Sequence, residues 1–190
     1  MINYLATQKN WQNAFSDTIT SFAELAQALD LPIDSFDSQV GQFPLKVPRR
    51  FVQKMGKGDI HDPLLKQVLP TFQETVQVTG FVTDPLDEQH ANPVKGIIHK
   101  YASRVLIPVT GACVVNCRYC FRQHFDYHEN LPTQNDWQAI SAYITAHPAV
   151  NEVILSGGDP LSLSNRRLLE IFTTLEALPQ VQTIRIHTRV

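Results

Sequence analysis

The sequence predicts an α/β fold, the first three βα units of a (β/α) barrel preceded by a mostly helical N-terminal extension. Three observations predict it. Strand-like apolar runs at 104–109, 152–156 and 181–187 alternate with stretches of helical spacing, the order that gives parallel βαβ units. The residues before about position 95 lack that alternation and are interrupted by Pro32, Pro48, Pro63 and Pro70. The unusual residues (clustered cysteines, a glycine pair, a Thr-Arg pair) each follow a strand-like run. The expected division is therefore 1–95 for the helical extension and 96–190 for the start of the barrel domain.

In the extension, Asp17 to Asp30 reads as an amphipathic helix. Ile19, Phe22, Leu25, Ala26 and Leu29 share one face, Asp17 is the candidate N-cap, and Pro32 stops it. Prolines exclude a central strand from 43–51, and Pro48 is placed to open a short helix through Met55, closed by Gly56. A further short helix is expected over 63–69 and a brief strand over 76–82, followed by loop from Thr83 to Gln89. In the barrel part, Arg104–Val109 is the first strand. A helix is expected from about Asn135 to Ala146, ended by Pro148, then a strand over Glu152–Ser156. A second helix follows from Arg167 to Leu178, with Leu168, Leu169, Ile171, Phe172 and Leu175 as its buried stripe, and Val181–His187 is the third strand. Trp11 and Trp137 are expected in a core or interface.

The 190 residues are 43% hydrophobic and 18% charged with a formal net charge of −2, which is ordinary globular composition. Near neutrality gives no electrostatic case for nucleic acid or an anionic membrane. No apolar stretch approaches a membrane span, and the first residues lack the basic-then-apolar plan of a signal peptide. A cytoplasmic location is expected, and an odd number of clustered cysteines suits a reducing compartment better than a disulfide framework. A complete barrel takes about 250 residues. The chain is accordingly expected to be the N-terminal part of a longer protein.

The three cysteines, Cys113, Cys117 and Cys120, form a C-x3-C-x2-C pattern directly after the first barrel strand. Thiolates so collected are ligands more often than packing groups. Three of them suit a [4Fe–4S] cluster, which normally takes four, so that one iron is left open to a small molecule. Cys117, Cys120, His124 and His128 also offer a thiolate–imidazole set for zinc. That set leaves Cys113 surplus, and the two histidines are read as loop residues. Gly157 and Gly158 allow either a turn at positive φ or close approach of a ligand to the backbone. Asp159 either offers a carboxylate to a cation or caps the following turn. Arg122 is a candidate carboxylate clamp, and Tyr119 either packs or lines an adenine pocket. His99, Lys100, Tyr101 and Arg104 form a basic-aromatic group suited to a phosphorylated aromatic cofactor, or else a solvated strand entry. In parallel barrels the ends of the strands share one face, so the cysteines, Gly157-Gly158-Asp159-Pro160 and Thr188-Arg189 are expected to aim at one site.

The cysteine pattern with an aromatic residue before its third member, followed by strand-Gly-Gly-Asp-Pro, resembles the radical S-adenosylmethionine enzymes. Thr83-Asp-Pro-Leu-Asp-Glu88, His99-Lys-Tyr101, Arg104-Val-Leu106, Cys117-Arg-Tyr-Cys-Phe-Arg122, Leu155-Ser-Gly-Gly-Asp-Pro-Leu161 and Ile184-Arg-Ile-His-Thr-Arg189 together resemble the lysine 2,3-aminomutase family. Pro48-Arg-Arg-Phe51, Asp62-Pro-Leu-Leu65, Glu88-Gln-His90 and Phe121-Arg-Gln-His-Phe125 are similar to its bacterial branch that makes (R)-β-lysine for modification of elongation factor P.

The resemblance implies Cys113, Cys117 and Cys120 as [4Fe–4S] ligands. It implies Gly157, Gly158 and Asp159 at the methionyl end of S-adenosyl-L-methionine, Arg122 at its carboxylate and Tyr119 near its adenine. Lys100, Tyr101 and Arg104 match positions that meet pyridoxal 5′-phosphate, with Lys100 standing where many members have arginine. The pyridoxal-binding lysine and the acidic residues that read the substrate's ammonium group are expected beyond Val190. The implied activity is an isomerase reaction. The reduced cluster cleaves S-adenosylmethionine, the resulting radical takes a β-hydrogen from lysine, and the amino group moves from the α to the β carbon. Implied partners are L-lysine, a one-electron reductant, elongation factor P and its lysine ligase, with no nucleic acid or membrane; a homo-oligomer is compatible with the sequence. Competing readings are a non-catalytic zinc or iron–sulfur module and a radical enzyme with another amino-acid substrate.

Overall fold

The structure, a computed structural model, describes residues 16–36 and 43–189; Trp11 lies outside the described residues. Two compact units are present. Among the described residues, the first takes those up to Phe81 together with Val114–Gln123, and the second takes Val82–Cys113 and those from His124 onward. This division passes through the cysteine segment and does not coincide with the sequence boundary near residue 95.

The first unit is made of short pieces. Strand β1 (Thr18–Ile19) pairs antiparallel with β2 (Val47–Pro48), Ile19 opposite Val47. Between them lies helix α1 (Phe22–Leu29), which buries Leu25, Ala26 and Leu29. It ends at Asp30, whose φ of 54° is a left-handed turn, and Pro32 prevents resumption. The expected helix start at Asp17 is thus corrected to Phe22. Thr18 and Ile19 are drawn into strand pairing, and Asp17 accepts a 3.0 Å hydrogen bond from Arg49 Nε instead of capping.

Helix α2 (Arg49–Val52) follows Pro48, as proline's fixed φ favours, but is shorter than expected. The helix expected over 63–69 is reduced to a 3-10 turn, Leu65–Gln67. Its entry is organised by one side chain: Asp62 accepts from the N–H groups of Gly56, Leu64 and Leu65 at 2.9, 2.8 and 3.0 Å. No strand forms over 76–82; Val76, Val78 and Phe81 are exposed. The core of this unit gathers Ile19, Leu25, Leu29, Val47, Leu65 and Val68. Of the extension expected to be mostly helical, the described residues contain helices of eight and four residues joined by turns.

The second unit carries a four-stranded sheet in the order β3 (Ile98–Tyr101), β4 (Arg104–Thr110), β5 (Glu152–Gly157), β6 (Thr183–Ile186). The last three are parallel, in the register Val105↔Val153↔Ile184, and β3 runs antiparallel to β4. Helices α3 (Tyr127–Asn130) and α4 (Asp136–Ala146) connect β4 to β5, and α5 (Asn165–Glu176) connects β5 to β6. These elements match the expected β/α alternation within two or three residues. Strand β3 and helix α3 were not expected. The turn after β3, Ala102-Ser103, lacks the Asn-Gly or Asp-Gly pair that announces a hairpin.

Alternation along the strands divides the sheet faces. Val105, Ile107, Val153 and Leu155 pack with Trp137, Ile140 and Ile144 of α4 and Ile171 and Leu175 of α5. The other residues of each strand point oppositely, which puts Arg104, Thr110, Glu152, Ser156 and Arg185 on the face away from those helices. In α5 the expected stripe holds at Ile171 and Leu175, whereas Leu169 is 66% exposed and corrects it: the helix starts at Asn165, and its narrow buried face excludes that position. Among the described residues no helix is long and apolar enough to cross a membrane.

Candidate functional site

In the second unit the C-terminal ends of β4, β5 and β6 are stitched together by backbone and one carboxylate. Gly158 N donates to Thr110 O at 2.6 Å and Asp159 N to Ala112 O at 2.8 Å. Thr110 Oγ1 accepts from Ala112 N at 3.0 Å, fixing the turn that leads into Cys113. The glycines are required by this contact. Gly157 has φ of 112°, and an added Cβ there would lie 2.4 Å from Thr110 O; one on Gly158 would lie 2.3 Å from Ala112 O. Of the two readings of this glycine pair, Gly157 shows the positive-φ turn, and a neighbouring strand end also approaches both glycines closely.

Asp159 is 5% exposed and its carboxylate is committed. Oδ1 accepts from Leu161 N at 3.0 Å and Thr188 Oγ1 at 2.7 Å, and Oδ2 from Arg189 N at 2.7 Å. It both caps the Pro160–Ser162 turn and ties the end of β6 to that of β5, so the capping alternative holds. Thr188, expected from the sequence to share a site with Gly157–Pro160, meets Asp159 here, whereas Thr110 and Ala112 build this junction without having been singled out. Their only sequence signal is position, immediately after a strand.

Cys117, Tyr119, Cys120 and Arg122 belong to the first unit. All three cysteines of the chain are half-buried and none is in a disulfide. Cys120 N donates to Cys117 O at 3.1 Å and Gln123 N to Cys120 O at 3.3 Å, so this part of the loop is a pair of consecutive turns. Burial pushes the Cys120 thiol above its ordinary value and neighbouring Cys117 adds to this, against the opposing pull of the Arg122 N–H and guanidinium. Arg122 is buried, its guanidinium 4.6 Å from the centre of the Phe121 ring, and Tyr119 is exposed. Among the described residues no three His, Cys, Asp or Glu side chains converge as a metal site. His128, from the zinc alternative, instead lies 3.0 Å from Glu129 Oε1 on an exposed turn.

Lys100, Tyr101 and Arg104 lie at the β3–β4 turn, the N-terminal end of β4. Strand length separates that end from Thr110 by about 20 Å. The structure does not bring these three to the end that carries Gly157–Asp159. Arg104 lies with its guanidinium 6.0 Å from the Tyr101 ring centre and its Nε 3.8 Å from Glu152 Oε2. Glu152 Oε1 is 3.0 Å from Arg185 Nη2. These are ion pairs by distance, the first too long for a hydrogen bond, and both Arg104 Nε and Glu152 Oε1 are buried without a hydrogen-bond partner. Asp84, whose charge field reaches Lys100, is held below the usual carboxylate range chiefly by the N–H groups of Gln89 and Glu88.

Three cysteines close in sequence follow the first parallel strand of the sheet, and residues 102–188 match the family described as a 4Fe-4S single cluster domain. The chain is 44% identical over 185 residues to L-lysine 2,3-aminomutase of Haemophilus influenzae, covering 96% of this chain and 55% of that protein. It is 43% identical over 187 residues to the Escherichia coli protein of the same name, covering 96% and 54%, and 30% identical over 189 residues to that of Clostridium subterminale, covering 97% and 45%. The chain is similar to these L-lysine 2,3-aminomutases and spans about half the length of the curated relatives it matches.

Proposed function

We propose that this chain forms the cluster-binding part of a radical S-adenosylmethionine aminomutase that converts L-α-lysine to (R)-β-lysine, the product serving to modify elongation factor P through its lysine ligase. The observation that carries the reading is the hydrogen-bonded junction of Ala112, next to Cys113, with Gly158 and Asp159, in a chain homologous to L-lysine 2,3-aminomutases. Cys113, Cys117 and Cys120 are the cluster ligands. The donor set fits: three half-buried thiols of soft character, not consumed in disulfides, suit iron–sulfur ligation and leave a fourth iron open. Arg122 and Tyr119 serve the carboxylate and adenine of the cosubstrate. Because three donors already occupy most of the Asp159 carboxylate's acceptor sites, Gly157, Gly158 and Asp159 serve the methionyl end chiefly through backbone atoms.

Lys100, Tyr101 and Arg104 are the proposed contacts for pyridoxal 5′-phosphate. Arg104, whose guanidinium lies near the exposed Tyr101 ring and whose Nε has an ion-pair neighbour in Glu152 but no hydrogen bond, suits a phosphate-bearing ring. The bound groups supply one-electron cleavage of a sulfonium and a 1,2-shift of an amino group; the chain supplies placement and exclusion of water. The electron comes from a one-electron reductant, and the reducing chemistry of the thiols supports a cytoplasmic setting.

The test is anaerobic reconstitution, with iron and sulfide, of the whole aminomutase of which this chain is proposed to form part; the 190 residues alone should not complete turnover. Visible absorption that bleaches on reduction, 5′-deoxyadenosine released from S-adenosylmethionine, and β-lysine formed from L-lysine are expected in that order. Tetrahedral zinc on the cysteines, or a reducible cluster that never cleaves the sulfonium, overturns it. For the elongation factor P assignment, the ligase must charge the product of this enzyme in preference to α-lysine.

A further inference from the structure

Arg118 stands between Cys117 and Cys120, and its side chain turns away from solvent. The side chains of Arg118 and Glu74 are 7% and 19% exposed, respectively. Arg118 Nε donates to Glu74 Oε1 at 2.8 Å, and Nη2 donates to Glu74 Oε2, a bidentate fork. Nη1 donates to Phe43 O at 3.1 Å, and the guanidinium lies 4.9 Å from the Phe43 ring centre. Glu74 in turn is held at the start of a 3-10 turn by a capping box with Thr71, whose N–H it accepts at 3.2 Å. The backbone around Cys117 is fastened to the same unit. Arg118 N donates to Gln67 O at 2.8 Å, Asn116 N to Lys46 O at 2.9 Å, and Asn116 Nδ2 to Pro44 O at 3.1 Å.

A buried ion pair is a poor source of net stability, because desolvating two charges offsets most of their attraction. What a saturated, forked pair does supply is geometry. Residues 116–123 form no regular element; turn hydrogen bonds join Cys117 to Cys120 and Cys120 to Gln123. The fork is internally neutral, so it places the loop without adding net charge beside the sulfurs. We propose that the Arg118–Glu74 pair is the positioning device that holds Cys117 and Cys120 in register to ligate the cluster; this rests on reading those cysteines as cluster ligands.

Three variants test it: Glu74→Gln, Arg118→Lys, which keeps the charge but loses the fork, and Asp17→Asn, which removes an ion pair of the same unit away from the loop. In iron-free protein, alkylation of each cysteine is followed by mass spectrometry. Glu74→Gln and Arg118→Lys should each speed modification of Cys117 and Cys120 severalfold and leave Cys113 unchanged, because local opening exposes only the released turn. In reconstituted protein the same two variants should release iron to a chelator about tenfold faster. Asp17→Asn should do neither. Parent-like thiol rates in Glu74→Gln, a parent-like Arg118→Lys, or the same acceleration in Asp17→Asn each overturn the proposal. If the parent protein takes up no iron and sulfide, the cluster reading falls separately, and the alkylation rates alone decide the anchoring.

Discussion

The sheet unit and the first unit are held by different means. In the sheet unit β5 is buried from Glu152 through Ser156, between β4 and β6, and its core-facing residues meet two helices of eleven and twelve residues. Hydrogen bonds there follow from strand register, and side chains intervene mainly where the strands stop, as Asp159 does. In the first unit the longest described helix has eight residues, and individual side chains organise the turns: Asp62 takes three N–H groups, Arg49 joins Asp17 and Glu24, and Arg118 joins Glu74 and Phe43 O. The contrast teaches that the sheet unit spreads its tolerance over many apolar contacts but concentrates its fragility at the strand ends. The first unit distributes fragility among a few polar anchors.

The sharpest way to break that contrast is at the strand-end junction. Gly158→Ala places a methyl group 2.3 Å from Ala112 O and 2.7 Å from Ala112 C, both backbone atoms that cannot rotate aside. The cost should exceed about 4 kcal/mol, the range reserved for substitutions that displace backbone. Urea unfolding of the iron-free protein reads it. A cost near 1 kcal/mol would show that the β4 and β5 ends are not in contact. Next in size, Leu155→Ala empties a fully buried position against α4 and α5 and should cost about 2–5 kcal/mol, with the spread set by how far the core relaxes.

The same contrast explains how much could be read beforehand. Strands β4, β5 and β6 and helices α4 and α5 are periodic, and a period of two or 3.6 is visible in one sequence. The cysteines stood out because all three in the chain fall between 113 and 120, and Gly157-Gly158 because the pair lies just after a strand-like run. Glu74 was not, because its partner Arg118 is 44 positions away and no local pattern links them. Asp17 misled for a related reason. It is a good N-cap type before an apolar stripe, but the pairing of Thr18 and Ile19 with a segment some thirty residues on outweighs local propensity. The role of Asp159 was half legible. Capping is local and was weighed; the bonds to Thr188 and Arg189 are not.

Asp62 sharpens the comparison through pH. The N–H groups of Gly56, Leu65 and Leu64 hold its carboxyl below the ordinary aspartate value, with burial opposing. A depressed folded value means that the stabilisation is fully present above the ordinary value and is lost as pH falls through it toward the folded one. Amide hydrogen exchange at Gly56, Leu64 and Leu65, corrected for its intrinsic pH dependence, should therefore gain little between pH 7 and about pH 5 and accelerate below about pH 4. In Asp62→Asn it should be faster at neutral pH and flat through that acid range. Acid acceleration that persists in Asp62→Asn would place the sensitivity elsewhere.

The smallest effect discriminates between the faces of α5. Leu169 is 66% exposed while Leu175, six residues on, is fully buried. Leu169→Ala should change stability by no more than about 0.5 kcal/mol, since alanine's higher helix propensity offsets the little apolar surface lost. Leu175→Ala should fall in the same class as Leu155→Ala, about 2–5 kcal/mol. Equal costs at the two positions would mean that both sides of the helix are covered, and the separation between a buried stripe and an open face on α5 would have to be withdrawn.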